Sequence, residues 1–229
     1  MFTLPGGSGE EVDMRSWSSF LAGAVLLVSA SAQATTFSNT QEPFAGSDAL
    51  TTPGRQVVGG ETFITFDPAA DTFSLQGSAF AALDPLSFFN GVIADVPPAG
   101  TNVVVLRTFD NDSDPATPFG AGNAANLIAD QITASGPGLF VYFNSNLDLP
   151  RLVYSTDLSD NTADLQVLFR MENLSGTDGQ TAMQQFTADN FTVSAAPIPE
   201  PSTWALLGSG AALLAFVRRR GQGRRRKGA

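Results

Sequence analysis

The chain has 229 residues, 43% of them hydrophobic and 15% charged, enough apolar material for one buried core with appendages. It contains no cysteine and no histidine, which excludes disulfides, thiolate nucleophiles, imidazole bases, zinc sites built on those residues and any Ser-His-Asp arrangement. Seven of the twelve basic residues lie beyond Val217, while residues 35–198 hold four arginines against eighteen Asp and Glu, a net charge of −14 that cannot hold a phosphate backbone, so no nucleic-acid partner is expected.

At the N-terminus Arg15 precedes an apolar run over residues 20–28, and small residues follow through Ser29, Ala30, Ser31, Ala32 and Ala34. A charged start, a short apolar stretch and an Ala-x-Ala exit predict a secretory signal peptide over residues 1–34. Cleavage after Ala34 leaves Thr35 as the first mature residue, with Ala32 as the alternative site. Glu10, Glu11 and Asp13 put negative charge where a positive segment belongs, so translation is expected to begin at Met14.

Residues 35–196 read as one β-rich domain. Short runs of Val, Phe, Leu, Ile and Thr over 61–66, 71–76, 102–109, 138–144, 151–156, 165–172 and 186–194 are separated by Gly, Pro, Asn and Asp. Leu165, Val167, Phe169 and Met171 alternate with Gln166, Leu168, Arg170 and Glu172, the pattern of a half-buried strand with one exception at Leu168. The stretch at 102–109 is apolar on both faces and reads as a central strand. Residues 123–133 alone carry a helical pattern. Strands at this spacing favour an all-β, antiparallel, jelly-roll-like β-sandwich with one short helix over alternating β-α units.

Three constellations inside this domain have chemical content. Asp110, Asp112 and Asp114 space carboxylates at every second residue after a strand, as in the first half of a calcium loop, but Pro115 and Ala121 stand where an EF-hand needs Gly and Glu. A solvated acidic turn competes with a calcium site there, and the cluster at 157–164 reads as turn chemistry. Without histidine or cysteine, an enzyme would need paired carboxylates, for which Glu61 and Glu172 are available, both expected at solvent-facing strand positions. The aromatic run at 140–143, with Phe140 and Tyr142 opposite Val141 and Phe143, offers either a core stripe or, through one exposed face, a sugar-stacking surface.

At the C-terminus Pro197, Pro199 and Pro201 make an extended linker that can neither continue a helix nor pair in a sheet. The uncharged segment 202–217 follows, with Trp204 at an interface position and Leu206, Leu207, Leu213, Leu214, Phe216 and Val217 supplying the apolar surface, and it runs into Arg218, Arg219 and Arg220. Its length as a helix is roughly 24 Å, against a bilayer core of about 30 Å. A transmembrane helix is predicted, short for a lasting anchor, with the basic tail 218–229 held on the cytoplasmic side.

Pro199-Glu200-Pro201, a short apolar helix and a closing arginine cluster, with Ser202-Thr203-Trp204-Ala205-Leu206-Leu207-Gly208 between them, resemble the PEP-CTERM sorting signal of exopolysaccharide-producing Gram-negative bacteria. The resemblance covers residues 197–229. It implies an exosortase as the processing partner, a transient passage through the inner membrane, and a destination at the cell surface or in the extracellular matrix. The expectation is an exported protein of structural or adhesive type, not an enzyme, with extracellular polysaccharide as a candidate partner. A calcium-assisted carbohydrate-binding module and a secreted glycosidase are the alternatives.

Overall fold

The computed structural model describes residues 33–110, 114 and 116–195. The expected signal peptide up to Ala32, Asp112, and the whole sorting segment from residue 197, including Pro199, Glu200, Pro201, Trp204 and Arg218, lie outside the described residues; Ala34 is an exposed position just ahead of the first strand.

In chain order the elements are β1 (Thr36–Asn39), β2 (Val57–Val58), β3 (Thr62–Ile64), β4 (Thr72–Gln76), α1 (Ser78–Ala81), β5 (Phe88–Gly91), β6 (Val103–Leu106), α2 (Ala121–Ala129), β7 (Gly138–Asn144), β8 (Leu149–Ser155), β9 (Leu165–Met171), α3 (Gly176–Ala182) and β10 (Phe191–Ser194), with short 3₁₀ turns between some of them. Strands dominate and the helices are few and short. The bounds expected for β7 are those observed, and β9 ends one residue before its expected limit.

Two sheets form. The larger has the order β2-β9-β8-β7-β6-β5, with β3 also on β9; the smaller has the order β1-β4-β10. Pairing corrects the expected antiparallel, jelly-roll-like sandwich. Only β7–β8 and β8–β9 are antiparallel, whereas β5–β6, β6–β7, β2–β9, β3–β9 and both pairs of the small sheet are parallel. β6, α2 and β7 make a β-α-β unit, the arrangement that the strand spacing argued against. Its cause is burial on both faces: parallel neighbours need a crossover, the crossover helix covers one face, and β6 and β7 are buried at every position.

The core is correspondingly divided by the large sheet. On one side Phe73, Leu75 and Phe191 of the small sheet join Val103, Val105, Leu139, Val141, Leu152, Phe169 and Met171. On the other, Ala121, Ala124, Ala125 and Ile128 of α2 join Val104, Leu106, Phe140, Tyr142, Val153, Leu165 and Val167. Phe73 sits at a junction of rings, stacked on Phe66 at 4.3 Å between centroids and tilted against Phe169 at 5.1 Å and Phe191 at 5.6 Å.

Leu168, the exception in the alternation of β9, is a β-bulge. Leu152 pairs with Phe169 and Val153 with Val167, so Leu168 is the extra residue. One inserted residue reverses which face each later side chain meets. Leu165 and Val167 therefore face α2, while Leu168, Phe169 and Met171 face the small sheet.

Two smaller corrections concern helices and the last strand. The helix expected at 123–133 begins at Ala121, where the Asn123 side chain accepts the Gly120 N–H at 3.1 Å, and α1 and α3 are two further short helices. The strand expected over 186–194 is limited to β10 because the 3₁₀ turns Met183–Gln185 and Ala188–Asn190 precede it. Among the described residues no helix is long and apolar enough to cross a membrane; the predicted span at 202–217 lies outside them.

Candidate functional site

The described surface has a cleft of about 510 Å³ at the outer edge of β9. It lies where the chain leaves β9 between β2 and β3, beside the bulge. β2 pairs with Leu165 and Gln166 and β3 with Phe169 to Met171, so the edge of β9 has no strand partner at Val167 and Leu168, and the chain loops out there through Gly59 and Gly60. Gly60 has φ +98°, a backbone conformation that side chains other than glycine's strain to reach.

Gln166 bridges the gap. Its Nε2 donates to the carbonyls of Gly59 at 2.8 Å, Val167 at 3.1 Å and Val58 at 3.3 Å, and its Oε1 accepts the Phe44 N–H at 3.2 Å. The remaining wall carries Ser38, Asn39, Thr40, Gln41, Glu42 and Thr62. Glu42 is engaged on the α1 side: its carboxylate accepts the Ser78 N–H, the Ala79 N–H at 3.1 Å and the Ser78 hydroxyl at 2.9 Å. The Ser78 and Ala79 backbone bonds hold that carboxyl below the usual range. Gly77 must be glycine for this contact, because at φ +150° a Cβ there would lie 2.8 Å from Glu42 Oε1.

The cleft is thus lined by the hydroxyls of Ser38, Thr40 and Thr62, the amides of Asn39, Gln41 and Gln166 and the carboxylate of Glu42, beside the apolar Val58, Val167 and Leu168. The sequence singled out none of these residues. The signals were the Gly59-Gly60 pair and an amide at Gln166 beside the break in alternation.

Glu61 corrects its own expectation. It precedes β3, its side chain is only 8% exposed, and its Oε1 accepts from Arg151 Nη2 at 2.5 Å and Arg170 Nη2 at 2.8 Å. Burial works against its charge, but its own backbone N–H, the Arg151 charge and the bonds from Arg170 and Arg151 hold the carboxyl below its ordinary value. Arg151 also reaches the Tyr142 hydroxyl at 3.4 Å, and Arg170 lies 4.6 Å over the exposed Phe63 ring. Glu172 is in an exposed turn after β9. A general acid needs a carboxyl held protonated, and the environment of Glu61 does the opposite.

The aromatic run is core. Phe140, Val141 and Tyr142 have no exposed surface and Phe143 is 3% exposed, because β7 is covered on both faces, so neither face of the stripe is open to a sugar. At 157–164 the carboxylates cap turns: Asp157 accepts the Ser159 N–H and hydroxyl, each at 2.8 Å, and the Ser135 hydroxyl, while Asp160 accepts the Thr162 N–H at 2.7 Å. Of the calcium candidates, Asp110 accepts the Phe119 N–H at 3.2 Å and Asp114 the Ala116 N–H at 2.9 Å. Among the described residues no group of three or more carboxylates is placed to hold a metal.

The C-terminal residues decide more than the cleft does. Residues 197–220 match the family model of the PEP-CTERM protein-sorting motif. The chain carries a PEP-CTERM sorting motif. No curated protein and no solved structure matches the chain. The motif marks an exosortase-targeted exported protein with a cell-surface or extracellular destination in a Gram-negative bacterium. The match includes Pro199, Glu200, Pro201 and Arg218 to Arg220 and stops short of the domain at 35–195.

Proposed function

We propose that this PEP-CTERM protein is a structural or adhesive component of the cell surface or exopolysaccharide matrix, a substrate of the exosortase and not itself a catalyst. The observation that carries this reading is the motif at 197–220, placed directly after the last strand of an acidic domain. The domain has no histidine or cysteine, and Glu42, Glu61, Asp157 and Asp160 are engaged in caps, turns and ion pairs. The hydroxyl- and amide-bearing cleft beside β9 supports polysaccharide as the partner. The segment 202–217 then serves as a transient membrane handle, read and removed.

The decisive experiment is the C-terminal residue and any adduct of the mature protein, determined by mass spectrometry from cells with and without the exosortase. Exosortase-positive cells are expected to yield a chain ending near Pro199-Glu200-Pro201 and lacking Trp204. If the intact chain carrying Trp204 is the only species in those cells, the sorting reading is wrong.

The cleft favours one second reading, a carbohydrate-binding module, in which the 110–114 loop would bind calcium. Turn chemistry at that loop predicts that excess calcium leaves the melting temperature unchanged. A structural site would raise it, since a ligand at 100 times its Kd stabilises by about 2.7 kcal/mol. Glycosidase action is the weaker alternative, because Glu61 is pinned by two arginines.

A further inference from the structure

The small sheet poses a problem that its sequence must solve. Three parallel strands cannot be joined by hairpins, so their starting ends are tied by side chains. Asn190, buried, donates from Nδ2 to the carbonyls of Asp71 at 2.6 Å and Pro68 at 2.9 Å, and its Oδ1 accepts the Thr187 N–H at 2.7 Å. Asp71 is the second tie, with its carboxylate 2.7 Å from the Thr35 nitrogen through Oδ1 and 2.8 Å from the Asp67 nitrogen through Oδ2. The Thr35 carbonyl accepts the Thr72 N–H at 2.9 Å, which fixes the Thr35 backbone against the start of β4.

Asp71 is only 6% exposed. A buried carboxylate is costly without a compensating charge, and among the described residues no arginine pairs with it. The groups around it add no positive charge: Asp67 and Asp189 occupy the turns beside it, and Asn190 is neutral. The missing cation has a source on the same chain.

We propose that Asp71 is the receptor for the new α-ammonium group of Thr35, so that removal of the leader after Ala34 completes a charge pair and locks the start of the small sheet. The inference rests on the reading of residues 1–34 as a cleaved signal peptide. Hydrolysis breaks the Ala34–Thr35 C–N bond. Water supplies hydroxyl to the Ala34 carbonyl carbon and a proton to the Thr35 nitrogen, which takes a further proton from solvent. The neutral amide donor 2.7 Å from Asp71 becomes an ammonium, so a bond with one ionised partner becomes an ion pair with both partners ionised. Thr35 itself is exposed, so a peptidase product can settle there without rearranging the core.

A free α-amino group has a pKa of about 7.7–8.0. Facing Asp71 it is raised, so the stabilisation is present in full below that range and is lost as pH rises through the folded-state value. The chain's single lysine, Lys227, lies in the tail beyond the motif, so amine-directed acylation reads the α-amine almost alone.

The test uses the mature protein purified from exporting cells, the Asp71→Asn variant, and a variant with one serine inserted after Ala34, which moves the α-amine one residue from Asp71 without touching the core. Mass spectrometry is expected to give Thr35 as the first wild-type residue. At pH 7 the wild-type α-amine is expected to acylate at least about tenfold more slowly than that of the inserted variant, one pKa unit being one decade. The Tm advantage of wild type over the inserted variant should disappear by pH 10. A chain that begins at Thr35 but acylates and melts like the inserted variant overturns the proposal and leaves Asp71 an ordinary acceptor of an amide. A mature chain that begins elsewhere overturns it together with the cleavage position. A chain that retains residues 1–34 overturns the signal-peptide reading beneath it.

Discussion

Alanine at Phe73 is expected to destabilise the domain by about 3–5 kcal/mol. In a domain of this size each kcal/mol lowers Tm by roughly 2–4 °C, so a loss on the order of 10 °C should appear in thermal unfolding followed by circular dichroism. Phe73 has no exposed surface, lies on the central strand of the small sheet and is within ring contact of Phe66, Phe169 and Phe191. Its removal opens a cavity bordered by both sheets, and backbone pairing at β4 limits collapse around it. Phe73→Leu, which keeps most of the volume, should lose much less. A loss below about 1 kcal/mol for the alanine variant would mean that the two sheets do not depend on this junction.

The second large effect is expected at Glu61. Glu61→Ala removes the carboxylate that two guanidinium groups share, at 2.5 and 2.8 Å, and leaves them side by side without compensation. Breaking a buried ion pair from one side costs about 3–5 kcal/mol. The arginine side chains keep 15% and 24% of their exposure, so solvent relieves part of the repulsion and the lower end applies. Glu61→Gln, which keeps the shape, should still lose most of it, and the double variant Glu61→Gln with Arg170→Gln should lose less than the sum of the two.

The pH dependence has a definite sign. The Glu61 carboxyl is held below its unfolded value, so its contribution is present above the ordinary carboxylate range and is lost as pH falls through the folded value. The gap between wild type and Glu61→Gln should therefore be wide at pH 7 and close in acid, read from urea unfolding at each pH. A gap that is the same at both ends would show that the carboxylate charge does not matter.

Local physics was legible. Stretches rich in β-branched and aromatic residues and bounded by Gly, Pro and Asx gave β7 its limits and β9 its start, with its end overrun by one residue, because strand propensity and turn chemistry act over a few residues. Partner choice was not legible, because it depends on contacts far apart in the chain. Three signals in succession pointed to a β-α-β unit: four consecutive apolar residues at β6, then a helix, then a β7 apolar at nearly every position. That is what a parallel strand buried on both faces requires.

Glu61 shows the same limit from the side of the candidate site. A carboxylate between polar neighbours reads as solvent-facing, and nothing local reveals two arginines arriving from β8 and β9. The cleft likewise lies where the bulge at Leu168 and the loop at Gly59-Gly60 meet at one sheet edge, a meeting of residues remote in the chain.

By itself the sequence determined the route of this protein. A sorting motif is read by its enzyme as a linear segment, so Pro199-Glu200-Pro201, the apolar run and the arginines carry their meaning without a fold, and the absence of histidine and cysteine removes imidazole and thiolate chemistry at the level of composition. Only the tertiary structure decided which strands pair, which faces are buried, which carboxylates are pinned, and that Asp71 waits beside the nitrogen of Thr35. Those are distances between residues remote in the chain, and burial, which sets the strength of each charge and hydrogen bond, exists only once the chain has folded around them.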